Sequence, residues 1–188
     1  MKSRNSIADL LKGIAVLLMI QVHIVELFAS TDVLSGSVAK VCFFLGGPPV
    51  APIFMVIFGY YIFSSNKSTL QLLFRGLNIV ALGMLLNLAL NFNLIISVYQ
   101  EKLQLDIWPY IFGVDILQFA GISLIIIAVL KKVIQKNTLF IFILMFISVV
   151  VGSYLLNYIP INKPLQYITA FLYGSATWSY FPLFPWLA

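Results

Sequence analysis

Long apolar stretches separated by short polar breaks run the length of the chain. Read at helical spacing, they predict five membrane-length elements: Ser6–Ala29, Ala39–Ser64, Leu70–Val98, Tyr110–Leu130 and Thr138–Ile159. Each is near or above the ~20 residues a helix needs to cross hydrocarbon. The runs lack the period-two alternation of barrel strands, and lipid admits only helices and closed barrels. The expected fold class is therefore all-α: a polytopic helical membrane protein with about five transmembrane helices, read as one domain over residues 1–188. The start of the third element, with Gln71, Arg75 and Asn78, reads as interfacial. Leu165–Tyr173 is too short to span, and Phe181-Pro-Leu-Phe-Pro-Trp-Leu-Ala188 reads as a loop entering a further helix. The expectation is a domain incomplete at its C-terminus.

The second element carries its own interruption. Gly46-Gly-Pro-Pro-Val-Ala-Pro52 must break the helix, because its prolines lack N–H donors and clash with the preceding turn. Such backbone is tolerated at membrane depth where it is buried in protein or lines a cavity. The helix is expected to resume near Pro52, since proline suits a first helical turn. Its start would then point free amides and a positive dipole at an anion or a developing oxyanion.

Composition agrees with the pattern. Hydrophobic residues make up 62% of the chain and charged residues 9%, with mean hydropathy +1.05; a soluble domain carries about 25% charged residues. The net charge of +5 needs no nucleic-acid partner. With a cytoplasmic N-terminus, the inside segments hold Lys2, Arg4, Lys67, Arg75, Lys131, Lys132 and Lys136, and the outside ones only Lys40, Lys102 and Lys163. That bias favours the N-terminus inside. Asn66-Lys-Ser68 matches a glycosylation sequon but falls in an inside loop. The first element reads as a retained span rather than a cleaved signal: Asp9 and Lys12 interrupt its start, and His23 and Glu26 occupy its far end. The single cysteine, Cys42, allows no intrachain disulfide.

Against this apolar background the ionisable residues of the first span stand out. Charges inside a span are costly and usually mark a functional path. At about 100° per residue, Asp9, Lys12, His23 and Glu26 fall within a wedge about 100° wide. Lys12 and His23 lie roughly 16 Å apart along the axis. The stripe thus joins an acid–base pair near one membrane face to a histidine–glutamate pair near the other. A histidine beside a carboxylate is a plausible general base, with the carboxylate orienting the ring. His23, Glu26 and Asp115 are the candidate catalytic residues. Asn87 and Asn91, four apart on one face, and Asp115 with Gln118 lie at the same outer depth, as does the proline break.

Plainer roles compete with each of these. His23 could satisfy an interhelical hydrogen bond, and Glu26 could be a solvated interface residue. Asn87 and Asn91 suit polar packing between helices. Asp115 is balanced between holding a helix amide and serving a site. Lys12 could pair structurally with Asp9 at i+3 or snorkel. One histidine and one cysteine far apart do not make a metal site, so no metal is expected. Gly46-Gly47 alone is no phosphate loop, and no Gly-x-Ser-x-Gly elbow is present.

These residues also carry a family resemblance. Ser6-Ile-Ala-Asp-Leu-Leu-Lys-Gly-Ile-Ala-Val-Leu-Leu-Met-Ile-Gln-Val-His23 resembles the first helix of the transmembrane acyltransferases. Asp9, Gly13 and His23 match in place, and Lys12 stands where the family has an arginine, keeping the charge and losing the planar fork. Gly47-Pro-Pro-Val-Ala-Pro-Ile-Phe-Met-Val-Ile-Phe-Gly-Tyr-Tyr-Ile62 resembles the second helix of the branch that includes heparan-α-glucosaminide N-acetyltransferase. Gly113-Val-Asp-Ile-Leu-Gln-Phe-Ala-Gly121 and Phe181-Pro-Leu-Phe-Pro-Trp186 resemble later blocks of related bacterial proteins.

The resemblance implies a multi-pass protein of the bacterial cell membrane that moves an acyl group from acyl-CoA, often acetyl-CoA, to a sugar hydroxyl or amine. The donor would enter from the cytoplasm and the saccharide acceptor from the other side. Lys12 would help bind the coenzyme; Asp9, its i+3 neighbour, and the break residues Gly47 and Pro52, read above as an anion-stabilising helix start at the His23 depth, complete the candidate cofactor-binding set. His23 would act on the acceptor or carry the acyl group. Family members have more spans, so the chain reads as an N-terminal half. A transporter, which also uses broken helices and buried charges, and an inactive structural fragment are the rival readings. A homo-oligomer is left open.

Overall fold

The computed structural model describes residues 5–155, 158–174 and 176–188; Lys2 and Arg4, used above for orientation, lie outside them. The chain is 75% helix with no strand among the described residues. Ser6–Phe28, Ser37–Ser64 and Thr69–Leu90 are long and apolar enough to cross a membrane, and Ile116–Lys131 and Leu139–Leu155 are shorter apolar helices. Large apolar side chains such as Leu17, Phe28, Leu82 and Phe146 are exposed, as suits a lipid solvent. The architecture is that of a polytopic helical membrane protein. The chain forms two compact units, Met1–Ser65 and Asn66–Ala188.

The first unit contains α1 (Ser6–Phe28), α2 (Thr31–Ser35), α3 (Ser37–Gly46) and α4 (Val50–Ser64). Asn5 starts α1: its side-chain oxygen accepts from the amides of Ile7 and Ala8 at 3.2 and 3.3 Å. That satisfies two of the amides a helix leaves unpaired at its start. α1 packs on both α3 and α4. Small residues, Ala8, Ala15 and Ala39, are buried on α1 and α3, and α4 buries Val50, Ala51, Ile57 and Ile62; the small ones let backbones approach where lipid supplies no hydrophobic drive.

The second unit contains α5 (Thr69–Leu90), α6 (Phe92–Tyr99), α7 (Trp108–Ile111), α8 (Ile116–Lys136), α9 (Thr138–Leu155), α10 (Lys163–Thr169) and α11 (Leu183–Trp186). Capping boxes open the two helices that form its centre, Ser68 with Gln71 at α5 and Asp115 with Gln118 at α8. α5 and α8 cross on glycines. A Cβ at Gly121 would lie 2.7 Å from the Gly76 carbonyl oxygen, and one at Gly76 would lie 2.8 Å from the Gly121 carbonyl oxygen. Gln118, 1% exposed, fills the space opposite Gly83, where a Cβ would come within 2.9 Å of its amide carbon.

Three boundaries differ from the sequence expectation. The stretch Leu70–Val98 divides at Asn91, whose side-chain amide donates to the Asn87 carbonyl at 2.9 Å and so competes with the helix for backbone partners. Tyr110–Leu130 yields a helix that starts only at Ile116. The preceding Val114 is held extended by the tail: its amide donates to the Trp178 carbonyl at 3.0 Å, and its carbonyl accepts from Tyr180 and Phe181 at 2.9 and 3.2 Å. The Phe181–Trp186 segment folds back on α9. Ser148 Oγ donates to the Pro185 carbonyl at 3.4 Å, and a Cβ at Gly152 would lie 2.8 Å from the Pro185 nitrogen.

Candidate functional site

In the first unit the α1 stripe resolves into two pairs of side chains. Lys12 Nζ lies 2.9 Å from Asp9 Oδ1, and His23 Nδ1 lies 3.4 Å from Glu26 Oε2. Both pairs are i,i+3, as their common face on one helix requires. The first pair is held from α4. Tyr61 donates its hydroxyl to Asp9 Oδ1 at 3.3 Å, and the Lys12 ammonium sits 4.5 Å above the Tyr61 ring centroid. Asn5 Nδ2 donates to the neighbouring Tyr60 hydroxyl at 3.4 Å. The second pair is open: the His23 and Glu26 side chains are 60% and 61% exposed, so the ring has room to meet a substrate. Tyr61 was invisible to pattern reading, but its depth was not. It is twelve residues after Pro49, roughly 18 Å of helix, close to the Lys12–His23 spacing.

The break sits at the far end from Tyr61. Gly47 (φ −102°, ψ −91°) ends α3, and α4 resumes at Val50 after Pro49. Gly46 packs against α1, where a Cβ would collide with Val22 Cβ and lie 2.9 Å from the Leu18 carbonyl oxygen. The break therefore abuts α1 at Val22, the residue before His23.

The amides expected to stand free at this end are engaged within the break. The amides of Val50 and Ala51 both donate to the Gly47 carbonyl, at 3.1 and 3.3 Å, and Ile53 donates to Pro49 at 3.4 Å. Pro52 has no N–H to offer. The first turn of α4 thus presents no spare amide, and the anion-binding role expected of Gly47 and Pro52 has no donors behind it. What the prolines leave over are acceptors. Pro48 and Pro49 cannot return a hydrogen bond to the carbonyls four residues earlier, those of Phe44 and Leu45. Those two carbonyls lack their ordinary helical donors.

In the second unit, Asp115, Asn87 and Asn91 line a common cavity of about 610 Å³ with Asp106, Thr177 and Trp178. Asp115 caps α8, accepting from the Ile116 amide at 2.7 Å. Asn87 Nδ2 donates to the carbonyls of Ile111 and Gly113 at 3.1 and 2.8 Å, and Asn91 Nδ2 reaches the Tyr110 carbonyl at 3.4 Å. These asparagines tie the 107–113 segment to α5, the packing role weighed for them above. The Trp178 indole nitrogen is buried with no hydrogen-bond partner among the described residues. Sequence reading missed Asp106 and Trp178. Asp106-Ile-Trp-Pro109 was a legible helix start, with proline in the first turn.

Among the described residues no group of three or more His, Cys, Asp or Glu side chains could hold a metal ion. A family model described as heparan-alpha-glucosaminide N-acetyltransferase, catalytic, matches residues 4–188. No curated protein and no solved structure matches the chain.

Proposed function

The chain belongs to the heparan-alpha-glucosaminide N-acetyltransferase catalytic family, and from that premise we propose that it takes part in acyl transfer from acyl-CoA, acetyl-CoA foremost, to an amine or hydroxyl of a saccharide. The observation that carries this reading is the α1 stripe. A lysine–aspartate pair at 2.9 Å and a histidine–glutamate pair at 3.4 Å face one way, roughly 16 Å apart along the helix. Acyl-CoA has an anionic, phosphate-bearing body and a reactive thioester at the end of a long arm. The stripe offers a cation for the one and a base for the other at separate depths.

In this proposal Lys12, set by Asp9 and Tyr61, meets a coenzyme phosphate from the cytoplasmic side. His23 receives the proton of the acceptor. Glu26 engages Nδ1, so Nε2 is the atom left to take that proton. The acceptor nitrogen or oxygen bonds to the thioester carbonyl carbon, the carbon–sulfur bond breaks, and the proton held at Nε2 goes to the departing thiolate. Products are the acylated saccharide and free CoA thiol. The Phe44 and Leu45 carbonyls, left without helical donors by Pro48 and Pro49, would accept hydrogen bonds from the acceptor's hydroxyls. Positioning and base catalysis at such a site each contribute, the latter typically about 10²–10⁴-fold.

The test is thiol release from acetyl-CoA by the full chain in proteoliposomes, with and without glucosamine. Acceptor-dependent release that falls at least about 100-fold in His23→Ala supports the reading. Saccharide flux without any CoA requirement would favour a transporter instead.

A further inference from the structure

A second cavity, of about 890 Å³, opens in the second unit between the 106–112 segment and α10. Its wall is a run of aromatic rings. Trp108 and Phe112 stack at 5.9 Å between centroids, and Phe112 meets Tyr167 at 5.5 Å. Two opposite charges, Asp106 and Lys163, line it as well. The Asp106 carboxylate is placed by the fold: it accepts from the Trp108 amide at 3.2 Å and so opens α7. Burial, and then the Asp106 charge, push the Tyr167 phenol above its ordinary pKa, which sets that charge against the aromatic wall. No Asp106–Lys163 ion pair occurs among the described residues, so each charge is left to meet something else. Beyond the rings the cavity continues onto aliphatic surface, with Ile168 64% exposed.

Asp106 lies in the loop after α6, and Lys163 opens α10 after the apolar helix α9, the position of a membrane–water boundary. Tryptophan and tyrosine favour that boundary. An ammonium suits a carboxylate flanked by aromatic faces, a phosphate suits a lysine, and acyl chains suit Ile168 and the slope beyond it. We infer that this cavity binds the headgroup of a zwitterionic phospholipid, its ammonium at Asp106 among the rings and its phosphate at Lys163. The opposite charges of Asp106 and Lys163 match a zwitterion better than a neutral saccharide, for which the cavity offers only the Trp108 indole and the Tyr167 hydroxyl as neutral hydrogen-bonding groups. The inference stands apart from the α1 stripe, to which neither residue belongs; Asp106 also borders the neighbouring cavity at Asn87 and Asn91.

The test uses the full chain, stripped of lipid in detergent and titrated with defined lipids by native mass spectrometry. Dioleoylphosphatidylethanolamine and dioleoylphosphatidylcholine should each bind one to one. Dioleoylphosphatidylglycerol, which lacks the ammonium, and dioleoylglycerol, which lacks both charges, should bind about five- to ten-fold more weakly. Asp106→Asn keeps an acceptor for the Trp108 amide, so α7 is retained while the charge is lost. Lys163→Gln alters only an exposed head. Each should weaken phosphatidylethanolamine binding by a similar factor and leave the melting temperature unchanged. Equal affinity for phosphatidylglycerol, or unchanged affinity in both variants, overturns the inference. Displacement of the bound lipid by glucosamine would assign the cavity to a sugar and overturn it too.

Discussion

The α5–α8 crossing gives the sharpest stability prediction. Replacing Gly121 by alanine adds one methyl group. Built on the existing backbone, it would lie 2.5 Å from Val80 Cγ2, 2.7 Å from the Gly76 carbonyl oxygen and 2.8 Å from the Val80 nitrogen. The first neighbour can rotate; the other two are backbone. Ordinary van der Waals contact begins near 3.4 Å, so relief means parting two helices by a sizeable fraction of an ångström along their length. Overpacking of this kind costs about 1–3 kcal/mol. The better helix propensity of alanine returns up to about 1 kcal/mol, so from the middle of that range, about 2 kcal/mol, a net loss of roughly 1–2 kcal/mol remains. For a chain of this size, that corresponds to a fall of about 2–8 °C in melting temperature. The assay is thermal unfolding of the purified protein in one detergent, followed by intrinsic fluorescence. Gly59→Ala is the control: nothing lies within 4 Å of its added methyl, so it should be neutral or slightly stabilising. Gly76→Ala should behave like Gly121→Ala. Because each methyl faces the other's carbonyl, the double variant should lose less than the sum of the two singles. A Gly121→Ala protein that melts with the wild type, or strict additivity with Gly76→Ala, would refute the close crossing.

Lys12→Ala should weaken acyl-CoA binding about ten-fold, with part of the loss disappearing at high salt, while Lys12→Arg retains affinity; isothermal titration checks both. Unchanged affinity in Lys12→Ala would reduce the lysine to a structural partner of Asp9. Asp115→Ala removes the α8 cap and should cost about 0.5–2 kcal/mol in unfolding. Asp115→Asn, which keeps an acceptor for the Ile116 amide, should unfold like the wild type, and equal losses in both variants would contradict the cap.

Much of this fold can be read from apolar run lengths, because crossing hydrocarbon demands a fixed number of helical residues. Where the runs mislead, a polar side chain or a distant segment has captured the backbone. Asn91 turns on its own helix at the Asn87 carbonyl, and Val114 is claimed by Trp178 and Tyr180 from more than sixty residues away. No local pattern announces the second case. The two side-chain pairs on α1 follow from helical spacing alone. Tyr61 needed the α1–α4 packing to bring it over Lys12. The proline break was legible as a break, but its chemistry was not. Prolines delete donors and leave acceptors, and with Val50 and Ala51 both donating to Gly47, the amides expected to face an anion are spent.

The central claim is that the α1 stripe carries acyl transfer from one membrane face to the other. Sealed vesicles holding the full chain, with labelled acetyl-CoA on the Lys12 side and glucosamine only on the His23 side, test it directly. The account predicts labelled N-acetylglucosamine accumulating on the glucosamine side with the wild type, and loss of at least about 100-fold of that product with His23→Ala. Product formed only when both substrates share one side, or formed equally well without the imidazole, would contradict it.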